Sequence, residues 1–166
     1  MESGKERYIS PSKGELSVAE VVNEIKDFVN AGPDSSYLVV IGSDSQAKHV
    51  NNHSEIDFVT AIIVHRQGKG ARYFYRKEKS NMAPILRAKI YTETQMSLEA
   101  ANQFAPLLRQ AINPAKYDLE IHVDVGPFGP TREMIKEVTG MVQGNGYKAK
   151  TKPESWGAST VADKHT

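Results

Sequence analysis

The stretch "YLVVIGSDSQ", Tyr37 to Gln46, constrains the fold more than any other segment of the chain. Five apolar residues run without a break from Tyr37 to Ile41, the pattern of a strand buried on both faces rather than of one wetted on one side. Such a strand needs a packed layer above it and another below. The run then meets Gly42 and sets Asp44 between Ser43 and Ser45. A carboxylate in that position is solvated at a strand end, paired with a base, or holding a cation.

The remaining elements supply the layers. Ser17, three residues before Glu20, reads as a capping box opening a helix with Val21, Val22, Ile25 and Phe28 on one stripe, ended at "NAGP". Residues 1 to about 16 read as a polar lead-in. After the first strand comes the polar loop "AKHVNNHSE", then "DFVTAIIVH" and "RYFYRK", two strands joined by a glycine-containing turn, so that the first three strands form an antiparallel meander. A long helical pattern follows, with Pro106 as a kink or break. "DLEIHVDVG" alternates strictly and is a fourth strand; a helix from about Thr131 stops at "GNG", "YKAKTK" is a short strand and "SWGASTVADKHT" a last helix. The order predicts a mixed sheet covered by helices on both faces.

Composition narrows the classes. The 166 residues suit one domain, with 1–36 as lead-in and first helix and 37–166 as the main body. With 21 basic and 20 acidic residues the net charge is +1, so any polyanion binding is local. The chain has no cysteine, no membrane-length apolar run and a polar N-terminus, and the expectation is a cytoplasmic protein with no membrane partner.

The acids stand in costly places. At 100° per residue, Glu93 falls on the stripe of Leu86, Ile90, Ala100, Phe104 and Leu108. An ionised carboxylate there needs a cation, a salt bridge to a nearby base, or the solvated edge of a cleft. Asp124 ends the fourth strand before a glycine and proline loop, as Asp44 ends the first. If the two strands are parallel neighbours, both acids reach one edge of the sheet. Asp163 follows in the last helix. Four carboxylates with no obligatory cationic partner favour hard divalent cations, Mg²⁺ or Mn²⁺.

In this order of elements and acids the chain resembles the ribonuclease H-like superfamily, and "IGSDSQ", "IHVDVG", "EVTGMVQGNGY" and "KPESWGASTVADKHT" resemble its YkuK-type group. The resemblance implies a five-stranded mixed sheet of order 3-2-1-4-5 with helices on both faces and an extra N-terminal helix. It implies a nuclease in which Asp44, Glu93, Asp124 and Asp163 are catalytic and hold two Mg²⁺ or Mn²⁺ ions for in-line attack on a phosphodiester, with RNA or structured DNA as substrate. A catalytically silent module that binds nucleic acid or protein is the alternative, since fold does not dictate function.

Other residues carry weaker expectations. Ser43, Ser45 and Gln46 suit close approach of phosphate, and Lys152 suits a phosphate contact. His122 is a tuning residue beside Asp124 or a structural histidine; His165 is a proton carrier or a tail residue. His49 and His53 read as solvated loop histidines, and Trp156 as a core anchor for the last helix. Arg72, Arg76, Lys77 and Lys79 read as a basic rim or a solvated strand edge.

Overall fold

The computed structural model describes residues 6–165, apart from the side chains of Ala158, Ala162, Asp163 and Lys164. Its chain forms β1 (Arg7–Ser10), β2 (Gly14–Ser17), α1 (Val18–Ala31), β3 (Tyr37–Val50), β4 (His53–Arg66), β5 (Ala71–Ser80), α2 (Leu86–Ala111), β6 (Tyr117–His122), α3 (Ile135–Gly144), β7 (Lys148–Lys150) and α4 (Gly157–His165). The strands make one mixed sheet of order β2-β1-β5-β4-β3-β6-β7. β3, β4 and β5 are an antiparallel meander, and β6 and β7 add in parallel beside β3. Within it, β5-β4-β3-β6-β7 is the five-strand order that the family resemblance implied.

The unbroken apolar run of β3 is explained by the layers on either side. Val39 and Ile41, with their β4 partners Val64 and Ile62, face the core built with α1, α2 and α3. Val40, with Ile63, Ala61 and Val59, faces a smaller cluster completed by Val161 of α4. Helix α1 starts as its sequence demands. The Ser17 hydroxyl accepts the Glu20 N–H at 3.2 Å, and the Glu20 carboxylate accepts the Ser17 N–H at 2.8 Å.

Three expectations are corrected. The sheet has seven strands, because residues of the supposed lead-in form the hairpin β1–β2, turned at Gly14 with φ +77°. Tyr8 and Ser10 point inward along β1, and Tyr8, 1% exposed, meets Phe104 edge to face at 5.2 Å between ring centres. Strand β3 does not stop at Asp44. It continues to Val50 and returns as β4 through Asn51 and Asn52, both at positive φ, so the polar "loop" is the extension of a hairpin whose outer end stands in solvent. Helix α2 runs unbroken through Pro106. Among the described residues no helix is long and apolar enough to cross a membrane.

Tyr8 tests whether the N-terminal hairpin belongs to the cooperative fold. Tyr8→Ala should lower stability by about 3–5 kcal/mol in urea unfolding, as for other large buried aromatics; a loss below about 1 kcal/mol would mean that the hairpin merely decorates the sheet.

Candidate metal centre

Two repeat lengths fix how α2 lies on β3. Residues four apart on a helix are about 6 Å apart along its axis, and residues two apart on a strand are nearly the same distance. Ser97 and Glu93 of α2 therefore meet Ser43 and Ser45 of β3 in opposed order. The Ser43 hydroxyl lies 2.9 Å from that of Ser97 and 3.0 Å from that of Thr60, and the Ser45 hydroxyl donates to Glu93 Oε2 at 2.5 Å. These contacts replace the role expected of the serines. Ser43, 3% exposed, is engaged with helix and neighbouring strand rather than open to a substrate, and Ser45 serves Glu93. Gln46 is exposed beyond them.

The acids meet where the sheet divides. β6 pairs with β3 as far as Gly42 opposite His122 and then leaves, whereas β3 goes on. Asp44 lies two residues past that last pair on β3, and Asp124 two residues past it on the departing chain. Glu93 enters from α2. One carboxylate oxygen of each lies within 4.8 Å of the others, so the three could hold one cation. Asp44 Oδ1 also accepts the Ser45 N–H at 2.9 Å. The fourth expected acid, Asp163, belongs to α4, but its side chain is outside the described residues.

Burial, reinforced by the charges of Asp44 and Asp124, pushes the Glu93 carboxyl up to about 8, against the lowering effects of the Ser45 hydrogen bond and Lys89. The structural salt bridge weighed for Glu93 is not among its described contacts; its hydrogen-bond partner is Ser45. Lys152 pairs instead with Asp124, Nζ to Oδ1 at 3.0 Å. An all-oxygen donor set of three carboxylates, one of them buried and costly to ionise, fits a hard divalent cation.

His122 does not face the acids as a ligand. Its Nδ1 accepts the N–H of Trp156 at 3.1 Å and of Gly157 at 3.3 Å, which leaves Nε2 to carry the proton and donate to Glu120 at 3.1 Å. Burial lowers its pKa, although Glu120 opposes this, and the neutral ring is what two N–H donors require. His122 thereby positions the first turn of α4. Trp156 is 41% exposed, not a core anchor, and touches His122 and His65 edge-on.

His165 is not a loose tail residue. Its ring stacks on Tyr75 at 4.0 Å and its Nε2 is 2.9 Å from the Tyr73 hydroxyl. The basic rim is split by the two-residue period of β5. Arg72 lies over Phe28 and Arg76 pairs with Glu6 and Glu78, while Lys77 reaches the opposite face. There sequence reading missed Asp57, 1% exposed, which meets Lys48 at 2.5 Å and Lys77 at 3.7 Å. Burial alone would raise its pKa, but the Lys48 hydrogen bond and the lysine charges outweigh burial and hold it low. His49 and His53 are exposed, on strands rather than in a loop.

The parallel β3–β6 pair, its antiparallel neighbours and the acids at their divergence define the class to which the chain belongs. A model of the Ribonuclease H-like family matches residues 20–166, and the chain is a member of that family. Over 170 residues it is 34% identical to the uncharacterized protein YkuK of Bacillus subtilis (strain 168), with 96% of each chain covered. No solved structure matches it.

Glu93 gives a pH dependence of known sign. In the unfolded chain it ionises near 4.5, and in the fold near 8. Between these values the folded state holds the extra proton, so its contribution to stability is intact below pH 4.5 and is lost as pH rises toward 8. The full linkage value is about 5 kcal/mol, an upper bound that relaxation of the fold reduces. In EDTA, Glu93→Gln should therefore gain stability over wild type by a few kcal/mol between pH 5.5 and pH 8.5. Urea unfolding at both values measures it, and a pH-independent difference would show that Glu93 is not buried as an acid.

Proposed function

We propose that the chain is a metal-dependent nuclease that hydrolyses phosphodiester bonds in RNA or structured DNA by a two-metal reaction. What carries this reading is the convergence of Asp44, Glu93 and Asp124 from a strand, a helix and the end of a second strand, each with an oxygen within 4.8 Å of the others. Asp44, Glu93, Asp124 and, from α4, Asp163 would hold Mg²⁺ or Mn²⁺. Bound there, the ions supply an activated attacking water and neutralise charge on the leaving oxygen.

The remaining work falls to the chain. Glu93 would have to be ionised to hold metal, and Ser45 keeps its carboxylate aimed at the cluster. Asp124 would hold metal in place of its ion pair with Lys152, whose ammonium would then be available to a phosphate oxygen of the substrate. Exposed Gln46 extends the same strand as a further polar contact. His122 holds α4, and with it Asp163, against the sheet by fixing the backbone at Trp156 and Gly157. One observation favours the silent binding module as a second reading: the Lys152 ammonium already meets part of the charge at Asp124.

Mn²⁺ should raise the melting temperature of the wild type by several degrees. Binding at 100 times Kd adds about 2.7 kcal/mol, and about 2–4 °C accompanies each kcal/mol in a chain of this size. Asp44→Asn should lose most of that shift and cut Mn²⁺-dependent cleavage of a model oligonucleotide by at least about 100-fold. Equal shifts in the two proteins would remove the metal site; a normal shift without cleavage in the wild type would favour the silent module.

A further inference from the structure

Two large aromatic side chains are exposed among the described residues, Phe128 at 90% and Trp156 at 41%; Trp156 borders Asp124, and Phe128 belongs to the loop that follows it. Trp156 and Asp124 line one small cleft together with His122 and Ser159. Phe128 stands four residues beyond Asp124, at the tip of the loop "GPFGP", within about 14 Å of it along even a fully extended chain. A single exposed apolar residue is ordinary on a protein surface. A ring almost wholly in water on a constrained loop beside a cluster of catalytic type is a narrower observation.

The loop is built to hold its shape. Pro127 and Pro130 restrict the backbone, and Gly129 makes the turn at φ +95°. The Gly126 N–H donates to Thr131 Oγ1 at 3.1 Å, and a Cβ at Gly126 would come within 2.9 Å of Lys152 Cβ. The loop is thus fastened to the residue that pairs with Asp124. A ring presented on a fixed tip costs little further ordering when a flat partner settles on it.

Resting on the nuclease reading above, we propose that Phe128 is a stacking platform for an unpaired nucleobase, and that the substrate is therefore single-stranded, or frayed, at the acids. A strand with a phosphate at Asp44, Glu93 and Asp124 would have bases a few nucleotides away within reach of a ring no more than about 14 Å from Asp124. Lys152 packs on Gly126, at the start of the loop, and its ammonium is on Asp124. Bases inside a continuous duplex are already stacked on one another and offer their faces to no side chain. Stacking on an aromatic ring tolerates any sequence, since every base has a π face.

The test is fluorescence anisotropy with nuclease-resistant phosphorothioate oligonucleotides in Mn²⁺, comparing a single strand, the same strand with abasic sites, and the blunt duplex. Wild type should favour the single strand over both others. Phe128→Ala should weaken single-strand binding by about tenfold or more while hardly changing binding to the abasic strand, and Phe128→Trp should restore it. Single-strand binding equal in Phe128→Ala and wild type, or a loss of the same size on the abasic strand and duplex, would overturn the stacking role and leave the nuclease reading standing. Wild type that binds none of the three while retaining its Mn²⁺ melting shift would overturn both. A change of oligomeric state on Phe128→Ala, with no oligonucleotide bound, would assign the ring to a protein contact instead.

Discussion

Two pairs of side chains, Ser43 with Ser97 and Ser45 with Glu93, set the placement of α2 on β3. They lie on a face otherwise packed with hydrocarbon, where a hydroxyl without a partner costs about 1–3 kcal/mol. A slide of α2 by one residue would break both pairs, and Thr60 would lose the far end of its link through Ser43. Apolar contact between helix and sheet is forgiving of such a slide; the hydroxyls are not. The placement of Glu93 follows from this polar register, so the fold's alignment and the site's geometry depend on the same contacts.

The arrangement stores an electrostatic conflict. Asp44 and Asp124 disfavour charge on Glu93, and burial disfavours it more. Ser45 and Lys152 relieve different parts of the cluster, one by a hydrogen bond to Glu93 and one by an ion pair with Asp124. Asp57, another carboxylate with little exposed surface, instead has Lys48 and Lys77 against it and is held low. One carboxylate has its countercharge built in. The other has a proton where a countercharge would go.

How much of this was legible depended on the range of the interaction involved. Glu93 could be placed on a buried stripe because the helical period is local, and Asp124 because strict alternation marks a strand wherever it lies. The residues alone left the pairing of β3 with β6 a condition, and the resemblance to the ribonuclease H-like fold implied it. The run of β3 past Asp44 was not legible, because Gln46 to Val50 are polar or exposed residues held in a strand only by the returning β4. β1 and β2 were missed because four residues are too few to display a period, and Tyr8 finds its place only when Phe104 arrives. The role of His122 depends on backbone groups 34 and 35 residues away, and no local pattern encodes them.

The way the sheet ends has a consequence for how copies of this chain meet. Its outermost strands, β2 and β7, have four and three residues, which is too little ladder for another chain to extend. Next inward, β1 matches β5 at Ile9 opposite Tyr75, so much of the ten-residue β5 would lie open as a template. That stretch carries Arg76, Lys77, Glu78 and Lys79, whose charges an incoming strand would have to desolvate. The shortest strands and this run of charge thereby work against edge-to-edge growth of the seven-stranded sheet, and the same Arg76 and Lys77 also pair with Glu6, Glu78 and Asp57 within the fold.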